Sequence, residues 1–208
     1  MTDHMIISLN RQFGSGGKEE GTKLAKELGV KLYDNEIIEL ASEKSGIRKE
    51  YFEKVDEKPT DSFLYALAMN TFSMNSSLNP YDHALSSDKL FNIQAEVIRN
   101  LAKEESFVVM GRCAEYILRD EKNCISIYLC ADIEKRVARI MEKYSLSEKE
   151  ALKKILSTDK KRDSYYGYYA GKDWRNCDSY DLSIDTGAIG IDNAVSLIKD
   201  YLKIRKLI

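Results

Sequence analysis

Residues 5–29, "MIISLNRQFGSGGKEEGTKLAKELG", set a short apolar run, a glycine cluster and a helix-periodic stretch in immediate succession. The run "MIISL" (5–9) reads as a buried strand entering a turn. Gly21, Leu24, Ala25 and Leu28 then recur at helical spacing, and Gly29 stands where a left-handed residue closes a helix. A strand that passes through glycines into a helix leaves N–H groups open at the helix start, and the helix dipole adds its positive end there, so the place favours an anion. The ordinary phosphate loop is GxxxxGK[ST]: its glycines turn backbone N–H groups inward, its Lys reaches the terminal phosphates and its hydroxyl holds magnesium. Here Gly17-Lys18 supplies the GK, whereas Gln12 occupies the first glycine position and Glu19 the hydroxyl position. The competing frame from Gly16 to Gly21, followed by Thr22-Lys23, reverses Lys and Thr and buries Gly21 inside the helix. The first frame is therefore the better match.

The rest of the chain repeats the strand-then-helix rhythm. "VKLY" (30–33) is a second strand, followed by a helix that Asp34 or Asn35 can cap and Gly46 can end. Residues 58–86, rich in Ser, Asn and Met, break the rhythm and read as an insertion of a helix plus a loose loop. Leu90, Phe91, Val97, Ile98, Leu101 and Ala102 mark a longer helix, and "FVVMG" (107–111) and "ISIYLC" (125–130) have the near-continuous apolar character of central parallel strands. Ile133, Val137, Ile140, Met141 and Tyr144 form one helical stripe, and "SEKE" (147–150) is a capping box opening the next helix. The polar, Tyr-rich stretch 157–180 shows no clear periodicity. "YDLSIDT" (180–186) reads as a last strand, and Ala194, Leu197, Ile198, Tyr201 and Leu202 as the inner face of a closing helix. Such alternation implies an α/β fold, a parallel sheet covered on both faces with its ligand site at the strands' C-terminal ends.

Composition narrows the function classes. With 43% apolar residues in 208, one ordinary domain with a real core is expected. A net charge of −2 lacks the basic footprint of a nucleic-acid binder, while a local basic pocket for a small anion stays compatible with it. Cys113, Cys124, Cys130 and Cys177 include no CxxC pair, and no stretch nears the roughly 18–20 apolar residues that span a bilayer. These features fit a protein of the reducing cytoplasm, without membrane or nucleic-acid partners.

Taken together and in order, "GSGGKEEGTKLAKELGVKLYDNEII", "VVMGRCAEYIL", "IYLCADIEKRVARI", "DKKRDSYYGYYAGKDW" and "YDLSIDTGAIGIDNAV" resemble the cytidylate kinase-like proteins, relatives of bacterial cytidylate kinase among the P-loop nucleoside monophosphate kinases. The resemblance covers nearly the whole chain apart from about 58–86. It implies a P-loop kinase three-layer sandwich with a parallel, five-stranded sheet, a helical insertion over 58–91 on the acceptor side and a mobile basic lid over 157–177. It further implies ATP and magnesium as cofactors and a small nucleotide as acceptor. Gly14, Ser15, Gly16, Gly17 and Lys18 take the place of the ATP phosphate cradle. Asp34 matches the Asp of the family's "DSG" stretch at the acceptor site, but the Arg ending that stretch is here Leu40. Of the "GRD" motif Arg112 is kept and the Asp has become Cys113; Arg136 and Arg139 match basic residues near the nucleotide; Arg162-Asp163 match the lid.

Each candidate also has a plainer reading. Lys18 opposes the dipole at a helix start unless an anion is present, which favours a phosphate role. Glu19 suits a helix N-terminus on structural grounds and offers magnesium an oxygen in place of the missing hydroxyl. Arg112 follows an apolar strand, where burial without an anion would be costly. Arg136 and Arg139, three apart, are neighbours on a helix face away from the apolar stripe, where surface ion pairs are common. Gln94 interrupts an apolar row and needs a polar partner or a place in a cleft wall. Cys113 reads as a packed thiol, and Tyr165, Tyr166, Tyr168, Tyr169 and Trp174 as either a packed flap or a stacking surface for a base. Two functional classes follow: a kinase in which Lys18, Arg162 and Arg112 handle the transferred phosphate, and a nucleotide sensor that keeps the cradle without turnover.

Overall fold

The computed structural model of the chain describes residues 4–55 and 87–208. The expected insertion over 58–86, with His83, lies outside the described residues. Within them the order is β1 (Ile6–Arg11), α1 (Gly17–Leu28), β2 (Lys31–Tyr33), α2 (Glu36–Ser45), α3 (Lys49–Val55), α4 (Ser87–Glu104), β3 (Phe107–Met110), α5 (Ala114–Ile117), β4 (Cys124–Cys130), α6 (Ile133–Tyr144), α7 (Glu148–Ala170), β5 (Leu182–Asp185) and α8 (Thr186–Ile204). The five strands form one sheet in the order β2-β3-β1-β4-β5, and every pairing is parallel. β1 lies in the middle, with Ile6 opposite Phe107 on one side and Cys124 on the other.

Both faces of the sheet are covered, which is why its strands read as apolar runs. On one face Ile7, Leu9, Val108, Met110, Ile127, Leu129 and Ile184 meet Leu24 and Ala25 of α1 and Ala194, Val195, Ile198 and Leu202 of α8. Each such fully buried aliphatic side chain contributes about 1.5–3 kcal/mol. On the other face Ile6, Tyr33, Phe107 and Val109 meet α2 to α5, and Tyr128 packs with Cys113, Tyr165, Tyr166 and Trp174. β1 also carries Ser8 and Asn10 into this second face, where the Glu115 carboxylate accepts from the Ser8 hydroxyl (2.9 Å) and the Asn10 amide (3.0 Å).

Local signals act largely as the sequence suggests. Gly29 and Gly46 close α1 and α2 in the left-handed conformation, and Ser147 with Glu150 forms the capping box of α7. Asn35 holds the N-cap position of α2, but its side chain makes no capping bond. Two readings need correction. Leu197 of the closing helix is 44% exposed, because Val195 instead turns inward with Ala194 and Ile198. The stretch without visible periodicity is helical up to Ala170, the second half of a 23-residue α7.

Candidate active site

Because all strands run the same way, the C-terminal ends of β1, β2 and β3 deliver the glycine loop, Asp34 and Arg112 to one end of the sheet. There they line a cleft of about 580 Å³, together with Arg11, Glu19, Arg139, Lys143, Tyr144 and Arg162. The loop turns through Gly14 (φ 86°) and Gly16 (φ 95°), a conformation that a side chain disfavours. At Gly17 a Cβ would approach the Arg11 side chain to 2.8 Å, so β1 and the start of α1 can be this close only without one. The start of α1, whose first N–H groups have no partner within the helix, therefore lines the cleft through Gly17, Lys18 and Glu19.

Lys18 and Arg112 meet over one carboxylate. Lys18 Nζ lies 3.1 Å from Asp34 Oδ2, and Arg112 Nη1 lies 3.6 Å from Asp34 Oδ1. The Lys18 side chain is 65% exposed, whereas that of Arg112 is 2% exposed and donates to the Met110 carbonyl (3.1 Å). Gly111, Arg112 and Cys113 all have positive φ, 69°, 57° and 54°. Two consecutive non-glycine residues there cost on the order of 1–2 kcal/mol each, a strain that tends to persist where a site requires it. It turns the Arg112 head back over the end of β3.

Three further arginines hold the loop backbone. Arg162 donates to the Arg11 carbonyl (2.9 Å) and stands over the Phe13 ring, and Arg139 donates to the Gly14 carbonyl (2.8 Å). Arg136 does not lie on an outer helix face. It is 7% exposed, pairs with Asp159 Oδ2 at 2.6 Å and donates to the Phe13 carbonyl at 3.3 Å, so it lies beneath the loop rather than lining the cleft. Asp159 was not marked by sequence reading, and its other oxygen accepts the Phe13 N–H at 2.7 Å. Gln12, in the missing glycine's place, accepts from the Ala131 N–H (3.1 Å) and so ties the loop to the end of β4. The Ser15 side chain is buried while its carbonyl lies 2.6 Å from the Thr186 hydroxyl.

The remaining candidates divide. Glu19 is exposed and lines the cleft; its neighbour Glu20 is fully buried, and burial pushes its carboxyl up to about 8 although nearby Arg139 pulls it down. Cys113 is buried beside Arg112 in a small cavity with Asn10, Arg162, Tyr165, Tyr166 and Trp174. Gln94 is 2% exposed on α4 and does not line the cleft. Lys143 and Tyr144 do line it, yet periodicity alone had assigned Tyr144 to the apolar stripe. Glu19 and Asp34 offer hard carboxylate oxygens within the same cleft, the donor type that magnesium takes. Among the described residues no group of three or more His, Cys, Asp or Glu gathers as a metal site, and no helix is long and apolar enough to cross a membrane.

Comparison with known proteins agrees with this architecture. The chain is similar to the cytidylate kinase of Saccharolobus islandicus, 24% identical over 201 residues, which covers 96% of this chain and 92% of the relative. A solved structure of an uncharacterized protein from Eubacterium ventriosum superposes with a TM-score of 0.70 at 28% identity, covering 96% of this chain and 99% of that one. The shikimate kinase of Bacteroides thetaiotaomicron superposes with a TM-score of 0.54 at 13% identity over 96% and 98% of the two chains, a likeness of fold. The parallel five-stranded sheet with helices on both sides is therefore that of the P-loop kinases. The model of the cytidylate kinase-like family matches residues 6–188, the span from β1 through the loop, Asp34, Arg112 and Arg162 to the start of α8, and the chain belongs to that family.

Proposed function

We propose that this protein is a cytoplasmic kinase that transfers a phosphoryl group from ATP to a nucleoside monophosphate or a similar small acceptor. The observation that carries the reading is the convergence of Lys18, Arg112, Arg139 and Arg162 on one cleft around the glycine loop, with Asp34 between Lys18 and Arg112. Phosphoryl transfer needs little covalent help from a protein; it needs alignment of donor and acceptor and neutralisation of spreading charge. When bound, ATP supplies the phosphoryl group and magnesium shields its phosphates. The open N–H groups of α1 and Lys18 take the phosphates of the donor. Asp34 and buried Arg112 orient the acceptor, and Arg162 stabilises charge on the group in transit. Glu19 and Asp34 are the carboxylates placed to meet the cation.

The Lys18–Asp34 pair supports these roles. The Lys18 end of the pair is 65% exposed and Asp34 keeps Arg112 as a second partner, so a phosphate can draw Lys18 away without leaving Asp34 unpaired. The test is ATP/Mg²⁺ turnover across a panel of nucleoside monophosphates, with wild type and Lys18→Ala side by side. Wild type should consume ATP faster with at least one of them, and Lys18→Ala should lose tenfold or more in ATP affinity or rate, about 1.4 kcal/mol. ATP binding that no nucleoside monophosphate turns into faster turnover would instead favour the sensor or a kinase of a non-nucleotide acceptor, and a folded Lys18→Ala protein of unchanged affinity and rate would remove Lys18 from the site.

A further inference from the structure

The phosphate loop is held from below by side chains of α6 and α7. Asp159 is 1% exposed and bridges the two sides of this brace, accepting from the Phe13 N–H at 2.7 Å and from Arg136 Nη1 at 2.6 Å. One turn further along α7, Arg162 donates to the Arg11 carbonyl. A carboxylate at a loop N–H competes with an anion for that donor, so the Phe13 N–H belongs to the brace and the cradle begins at the glycines after it. This is the position next to Gln12, where the ordinary pattern has its first glycine.

We infer that Asp159 is a positioning residue for ATP: its bond to the Phe13 N–H fixes the loop backbone in the conformation that presents the later N–H groups to phosphate. Arg136 supplies the counter-charge that lets the carboxylate be buried, since an unpaired buried carboxylate would protonate or destabilise the fold. The inference rests on the ATP-kinase reading for its ligand, but its structural content concerns the loop alone.

Two double variants isolate the bond from the ion pair. Arg136→Met/Asp159→Asn and Arg136→Met/Asp159→Leu both lack the charges, yet only the Asn side chain keeps an acceptor for the Phe13 N–H. The Leu form should bind ATP at least tenfold more weakly than the Asn form, should raise KM for ATP with the acceptor's KM unmoved, and should exchange its loop amides at 12–18 faster without nucleotide. A general loss of packing would instead lower the active fraction and move both KM values together. Equal ATP affinity and equal loop exchange in the two folded variants would overturn the proposal. Slower exchange in the Asn form's loop, in a protein that turns over no nucleoside monophosphate, would uphold the brace while the acceptor reading fell.

Discussion

Glu20 enters the first turn of α1, where a carboxylate suits the helix dipole, yet its side chain is fully buried and neither oxygen has a hydrogen-bond partner among the described residues. Its pKa rises from 4.5 to about 8, so between those values the folded chain holds a proton that the unfolded chain has released. Folding then binds more protons than unfolding, and stability falls as pH rises through this window and levels off above about 8. Glu20→Gln should abolish that part of the decline and be the more stable protein at pH 8–9, by an order of a few kcal/mol. Denaturant midpoints measured for both proteins across pH 5–9 check this, and parallel profiles would show that Glu20 is not the group responsible. A single sequence shows Glu20 only as a good first-turn residue. Its burial depends on what packs over α1 in the folded chain, a long-range event that helical spacing does not carry. Arg136 was hidden in the same way. Its pattern is that of a surface pair with Arg139, and only the return of α7 brings Asp159 to it. That Lys18, Arg112 and Asp34 come to one end of the sheet was legible because they stand next to glycines or at strand ends, where local order fixes their position; the roles given to them came from the family resemblance.

α7 shows why an element can be half readable. Its start is written locally in the capping box, and its first turns pack Ala151 and Ile155 with Ile140 of α6. Beyond Asp159 the helix changes partners. Tyr165 and Tyr166 pack with Tyr128 and Trp174, and the Tyr169 ring stacks on Phe91 of α4 at 3.9 Å. One helix with two differently placed buried faces shows no single stripe, so the stretch looked irregular. This packing also bears on the proposed lid over 157–177: its helical part is docked on Tyr128, Trp174 and Phe91, so closure would be a shift of a packed helix. Arg162 would exchange the Arg11 carbonyl for the phosphate in transit during that shift. Arg162→Ala should then lower kcat tenfold or more while ATP affinity stays within threefold, and ATP plus acceptor should slow amide exchange across 157–177 in wild type. A normal kcat in the variant, with exchange that ligands do not alter, would reduce the segment to a structural flap.

At the scale of the molecule, the alternation of strands and helices made the parallel sheet legible, and the glycine loop indicated which end of it carries the site. Strand order was not written there. In the sheet, the first strand of the chain is the central one, held between Phe107–Met110 and Cys124–Cys130. As the protein leaves the ribosome, β1 must therefore wait for both neighbours, and until β4 emerges one edge of a strand that carries Ile6, Ile7 and Leu9 stays open. Loop closures of this length are slow, and an unpaired apolar edge invites pairing with other chains. A chain stopped at Lys122, before β4, should accumulate as aggregate, whereas the full chain stays in the supernatant when lysates of the two are sedimented. Equal solubility would mean that β1 is protected by some other means during synthesis. The central place of β1 thus makes the long delay before β4 appears the interval in which a newly made copy depends most on chaperones.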